Sequence, residues 1–135
     1  MSHLSFKWSV RIYFEDTDSG GVVYHSNYLK FMERARTEWL RSLNLNQTDL
    51  KKKDKIMFVV VKVNIDYKKA AQFNDELDIE TSVDNIGASK VDLTQNIMKN
   101  SELYTSAKVS IACIHSETFK PQRMPKSIKQ QMEIL

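Results

Sequence analysis

Apolar and polar positions alternate from the first segment onward. Phe6, Trp8, Val10, Ile12 and Phe14 are interleaved with Lys7, Ser9, Arg11 and Tyr13, a period of two that predicts a strand over 6–14. From Tyr28 the period changes. Tyr28, Phe31, Met32, Ala35, Trp39 and Leu43 recur at three- and four-residue steps, and Leu29, Arg36 and Leu40 widen the stripe. That spacing predicts one long helix of about 26 Å, apolar enough to be covered on most sides. Ser26 or Asn27 is its expected N-cap, and Leu43-Asn44-Leu45-Asn46 its stop. Residues 47–54 read as one short polar turn of helix.

The rest reads as strand. Residues 56–68 carry the run Ile56–Val61 and then alternate through Val63, Ile65 and Tyr67. Alternation returns over 76–86 (Leu77, Ile79, Thr81, Val83), over 90–99 (Val91, Leu93, Ile97) and over 103–115 (Ala107, Val109, Ile111, Cys113). Breaks at Phe73-Asn74-Asp75, Ile86-Gly87-Ala88 and Lys99-Asn100-Ser101 have hairpin spacing. After Pro121, Pro125 at N1 opens a short amphipathic helix running to Leu135. Short connections imply antiparallel pairing, so the class is α+β. A five-stranded antiparallel sheet wrapped around one long central helix, with a short C-terminal helix, is the hotdog architecture.

Composition narrows the picture modestly. A chain of 135 residues with 41% hydrophobic and 27% charged content predicts a single globular domain over 1–135. The net charge of +3 is too mild to indicate nucleic acid, and Lys51-Lys52-Lys53 with Lys55 read as a solvated turn. Cys113 is the lone cysteine, mid-strand in an alternating run, and reads as a core thiol with no disulfide to form. No apolar run approaches the roughly 18 residues of a membrane span, and MSHLSFKWSV carries no signal-peptide core. The expected location is cytoplasmic.

Candidate chemistry concentrates in Arg11–Trp39. An apolar strand leads to Glu15, Asp16 and Asp18, then to Gly20-Gly21 and the helix start. Asp18 before paired glycines suits a turn former, whose side chain bonds the backbone just ahead. It equally offers a base or nucleophile beside a helix N-terminus, whose free N–H groups and positive pole oppose a developing oxyanion. Thioester hydrolysis needs both. Asp16 and Glu15 compete for the role, and in an extended segment Asp16 would face the same way as Asp18, able to share a proton or a metal. Asp16-Thr17-Asp18 also suggests an aspartyl-phosphate phosphatase, but no strand–helix alternation follows residue 55. His25 lies at the helix start, where neutral imidazole could orient water or bond the thioester carbonyl. His3, His25 and His115 lack zinc-ligand spacing, and neither a serine-nucleophile elbow nor a phosphate loop occurs.

The stretches Arg11-Ile12-Tyr13-Phe14-Glu15-Asp16-Thr17-Asp18, Gly20–Tyr28 and Glu33-Arg34-Ala35-Arg36-Thr37-Glu38 carry a specific likeness. The chain resembles the hotdog-fold acyl-CoA thioesterases of the 4-hydroxybenzoyl-CoA thioesterase class, closest to the YbgC type associated with the bacterial Tol–Pal envelope system. Weaker similarity extends over Phe58-Val59-Val60, Asp66-Tyr67 and Lys120-Pro121.

The resemblance implies that Asp18 is the catalytic carboxylate, that the amide near Tyr24 polarises the thioester carbonyl, and that His25 assists. It implies substrate contacts at Gly21, Val22, Val23 and Asn27, with Val60, Ser89 and Lys90 completing the site. Lys68 and Arg123 are further candidates for the phosphates of coenzyme A. No metal or cofactor is expected, coenzyme A being part of the substrate. The acyl-CoA lies between subunits of a homodimer, often paired into a homotetramer, and acyl carrier protein is a further candidate partner. Some relatives carry tyrosine where Phe14 stands, and that hydroxyl has an assigned active-site role; its loss predicts reduced activity. The rival readings are a non-hydrolytic acyl-binding or scaffold protein and a hotdog hydratase or dehydratase.

Overall fold

The computed structural model describes residues 5–133. Five strands form one antiparallel sheet: β1 (Phe6–Arg11), β2 (Ile56–Tyr67), β3 (Glu76–Ile86), β4 (Lys90–Lys99) and β5 (Glu102–His115). Their spatial order is β1-β3-β4-β5-β2. Helix α1 (His25–Ser42) packs across the concave face; the short α2 (Gln47–Asp49) runs into a π turn at Leu50–Asp54, and α3 (Lys126–Met132) closes the chain. The hotdog architecture expected from the sequence is the one found. His3 and the end of the tail at Leu135 lie outside the described residues.

Packing explains α1. Tyr28, Phe31, Met32, Ala35, Trp39 and Leu40 are buried against Leu77, Ile79, Leu93 and Ile97 of the sheet. The sheet covers one side only: Leu29, Lys30, Glu33 and Arg34 face out, so the helix is not enclosed on most sides within this chain. Arg36 does turn inward, donating to Gln95 Oε1, while Gln95 Nε2 donates to the Met32 carbonyl and to Thr81 Oγ1, each at 3.0 Å. With Gln95 fully buried, every polar contact it makes is needed to offset its desolvation.

Two features of the sheet bear on function. Consecutive strands pair only from β3 onward: β1 and β2 lie at opposite edges, and β2 is separated from β3 by β5 and β4. Residues 68–75 therefore cross the molecule, and they cross it at the N-terminus of α1, where the Val23 amide donates to the Ala71 carbonyl and Val22 bridges Gln72. A hairpin between 56–68 and 76–86, the sequence expectation, does not form. The second feature is the free edge of β2. Its register shifts between Val60 and Lys62, leaving Val61 as an extra residue, and Val60, Val61 and Val63 are all exposed.

Candidate active site

The strand expected over 6–14 stops at Arg11. The Ile12 amide donates to the Asp75 carbonyl at 2.8 Å and the Asn74 amide returns to Ile12 O, carrying the contact with the β3 side one residue further before the chain turns away. Residues Phe14–Asp16 then coil into a 3-10 turn. Asp16 builds it, its Oδ2 accepting the Tyr13 amide at 2.8 Å. Phe14 O receives both the amide and the hydroxyl of Thr17. Alternation thus ends, and Tyr13 and Phe14 both project into solvent rather than to opposite faces of a strand.

Thr17 and Val23 bridge the base of the hairpin that carries Asp18. At its tip the Asp18 amide donates to Val22 O, the Gly21 amide to Asp18 O, and the Gly20 amide to Asp18 Oδ1 at 2.8 Å. Gly21 sits at φ +81, a left-handed conformation that glycine adopts without a Cβ penalty. Turn former and reactive carboxylate are therefore compatible descriptions of Asp18. One oxygen holds the turn, and the group is exposed, its second oxygen accepting no hydrogen bond from the described residues. Asp16 and Asp18 do not act as a pair, since each is committed to a separate backbone amide. Among the described residues no cluster of His, Cys, Asp or Glu could hold a metal.

The mouth of α1 differs from expectation in detail. Tyr24, not Ser26 or Asn27, is the N-cap, in extended backbone with no side-chain cap bond. Its amide is already taken, donating to Asp16 O at 3.2 Å, and Asn27 Nδ2 reaches the same carbonyl at 2.8 Å. Asn27 N–H returns to Tyr24 O. The amides of His25 and Ser26 have no backbone partner among the described residues, so the free donors at the positive pole lie one and two residues past Tyr24.

His25 packs its ring on Tyr24, with centroids 4.4 Å apart, and edge-on to Tyr67 at 6.2 Å. The Tyr67 hydroxyl donates to the His25 carbonyl at 3.2 Å, while the Tyr28 hydroxyl accepts the Ala71 amide at 3.0 Å. Val23, His25, Tyr28, Tyr67, Lys68 and Lys69 line a crevice of about 250 Å³ here. Burial raises both phenols above their ordinary range, so both stay protonated at neutral pH. By periodicity alone Tyr28 is a core residue and Tyr67 a strand residue. The signal available for them was the crossover, which periodicity does not carry.

Asp18, Gly21, Val22, Val23, Tyr24, His25 and Asn27 thus gather at one end of the molecule. Val60, Ser89 and Lys90 do not join them. Lys90 pairs with Ala112, which pairs with Val59, whereas Tyr67 pairs with Thr105. Eight residues of β2 separate those levels, about 26 Å of strand. Arg123 lies at the far end as well, with Lys126 and Lys129 in a cleft of about 610 Å³ against Gly87 and Ala88. Cys113 is buried, its thiol pushed up to about 11 by desolvation, as suits a core group. No helix among the described residues is long and apolar enough to cross a membrane.

The hotdog sheet packed on its central helix has counterparts among known proteins. The chain belongs to the thioesterase-like superfamily, whose family model matches residues 12–132. Among relatives, the acyl-CoA thioesterase YbgC of Haemophilus influenzae is 44% identical over 124 residues, covering 92% of this chain and 91% of that one. The acyl-CoA thioester hydrolase YbgC of Escherichia coli O157:H7 is 40% identical over 129 residues, 95% and 96% of the two chains. The crystal structure of a probable thioesterase from Bartonella henselae superposes with a TM-score of 0.86 at 36% identity, covering 90% of this chain and 100% of that one.

Proposed function

We propose that this chain is an acyl-CoA thioesterase in which Asp18 acts as nucleophile or general base. The carrying observation is that the hairpin bearing the exposed Asp18 carboxylate closes at Val23, two residues before α1 begins, where the His25 and Ser26 amides have no backbone partner among the described residues. Asp18 attacks the thioester carbonyl to give a mixed anhydride, or takes a proton from the water that attacks it. Either route places negative charge on the carbonyl oxygen, and the helix mouth opposes that charge. The C–S bond breaks, coenzyme A leaves as thiolate and takes up a proton, and water supplies the oxygen of the free acid. His25 stands beside this point with its carbonyl held by Tyr67 and its ring free to orient water. No cofactor enters these steps.

The reading includes a second copy of the chain. Two β2 edges paired antiparallel about Val63 would set Tyr67 of one copy level with Val59 of the other. Ser89 and Lys90 of the second copy then approach the crevice, supplying a cation for the nucleotide phosphates. The exposed Val60, Val61 and Val63 support such a dimer, since a free apolar edge otherwise invites uncontrolled pairing. A homotetramer, a cytoplasmic location, acyl carrier protein as an alternative donor and association with the Tol–Pal system belong to the same reading on resemblance alone.

The test is Asp18→Asn, which keeps an oxygen for the Gly20 amide. Thiol release from acyl-CoA should fall at least a hundredfold while acyl-CoA binding persists. Retained hydrolysis would remove Asp18 from the mechanism, and binding without hydrolysis in the wild type would favour the scaffold reading.

A further inference from the structure

Two aromatic rings stand in solvent beside the Asp18 hairpin. Phe14 is 78% exposed and Phe73 49%, and they meet edge to face with centroids 6.1 Å apart. Exposed apolar surface gains by being covered, and two rings in contact offer a narrow apolar ligand one continuous face. The backbone beneath both rings is held firmly. The carbonyl of Phe14 receives Thr17 twice. Phe73 lies between Gln72, whose amide donates to Asp75 Oδ2, and Asn74, held left-handed at φ +72. Arg11 ties β1 to this second segment, donating to Asn74 O at 2.8 Å and to Glu76 Oε2 at 2.7 Å.

Both segments touch the hairpin itself. Thr17 directly precedes Asp18, and Gln72 bridges Val22. The two rings therefore stand on the segments that flank the Asp18 hairpin. Their surroundings limit what they can receive. Glu15, Asp16 and Asp18 flank Phe14, while Arg11 and the Asp75–Lys99 pair lie beside Phe73, so the surroundings are of mixed charge and offer no field of one sign to hold a charged lipid surface. Two rings also offer far less area than a stable contact between protein copies requires. A hydrocarbon tail or a single aromatic ring is narrow enough and uncharged.

We propose that Phe14 and Phe73 form an apolar lip that receives the acyl portion of the thioester and sets the preference for long or aromatic acyl groups over short ones. This rests on the thioesterase reading and adds Phe73 to the residues that determine specificity. A substrate too short to reach the rings gains nothing from them, whereas a long chain covers both.

Thiol release from acetyl-CoA, decanoyl-CoA and benzoyl-CoA by the full chain, by Phe14→Ser and by Phe73→Ser tests it. In each variant the ratio of kcat/KM for decanoyl-CoA over acetyl-CoA should fall about tenfold, the effect of withdrawing one ring's worth of apolar cover. Phe73→Leu should keep most of the ratio, and Phe73→Gln replaces the serine variant if a circular dichroism melt shows that one unfolded. An unchanged ratio, or an equal fall with all three substrates, overturns the lip. A change of mass by light scattering that tracks the loss also overturns it, because the rings would then join copies of the chain. Should the wild type release thiol from none of these substrates, the thioesterase reading itself fails, a result distinct from a flat profile across acyl groups.

Discussion

The Tyr67 hydroxyl donates to the backbone carbonyl of His25 at 3.2 Å, across 42 residues of sequence. The bond ties the last residue of β2 to the first turn of α1, and so relates the free sheet edge to the mouth of the helix. The crossing segment 68–75 begins immediately afterwards, and its Ala71 carbonyl takes the Val23 amide at 2.8 Å. Strand edge, crossover and helix mouth are therefore joined by direct hydrogen bonds.

Tyr67→Phe removes that donor and leaves the ring packing on Tyr28. A net hydrogen bond is worth about 1 kcal/mol, so kcat for thiol release should fall severalfold with little change in KM. Steady-state kinetics read the split.

Gly20 and Gly21 should respond differently to alanine. At Gly21 a Cβ meets nothing within 4 Å, but φ is +81, so the cost is backbone strain of about 1 kcal/mol. At Gly20 the Cβ would lie 3.2 Å from Asp18 Oδ1 and press on the carboxylate. Gly21→Ala should lower the melting temperature, whereas Gly20→Ala should lower activity by more than its change in stability explains.

Val61→Lys places a charge on the exposed bulge of β2. If two β2 edges join, light scattering should show the mass falling to that of one chain, with hydrolysis lost in step because Ser89 and Lys90 of the second copy are withdrawn. A monomeric wild type with full activity would remove the dimer from the mechanism.

Asp75 predicts a response to acid. Burial pushes its carboxyl up, but the Gln72 amide and the Lys99 ammonium, 2.9 Å away, together outweigh burial and hold it below the usual range. A depressed carboxyl stabilises the fold above its unfolded pKa of about 4, and that contribution disappears as pH falls through the lower folded value. Lys99 is raised chiefly by its hydrogen bond to Asp75, so its share is present below its ordinary pKa and lost only in strong alkali. Melting temperature measured from pH 6 down to pH 2 should fall less steeply in Asp75→Asn than in the wild type, from a lower starting point.

Much of this was legible in the chain. Phe6 to Val10, Tyr28 to Leu40 and the alternations of β3, β4 and β5 announce their elements because burial of one face imposes a period, and period is a local property. The Asp18-Ser19-Gly20-Gly21 turn was legible for the same reason, as its hydrogen bonds close within four residues. Less legible were the points where a distant segment intervenes. Past Ile12, which stays bonded to Asp75 and Asn74, the chain folds into the 3-10 turn of Phe14–Asp16, and Phe14 faces solvent instead of continuing the alternation. The cap at Tyr24 depends on Asp16 O, which no propensity scale anticipates.

The sequence by itself determined the strands, the central helix and a carboxylate beside its start, because each follows from spacing along a few neighbouring residues. Only the tertiary structure decided that 68–75 crosses the helix mouth, that Tyr28 and Tyr67 join His25 there, and that Ser89 and Lys90 lie a strand's length away. Those relations come from the order in which strands pair, and pairing order is settled by packing of the whole sheet against α1 rather than by any segment alone.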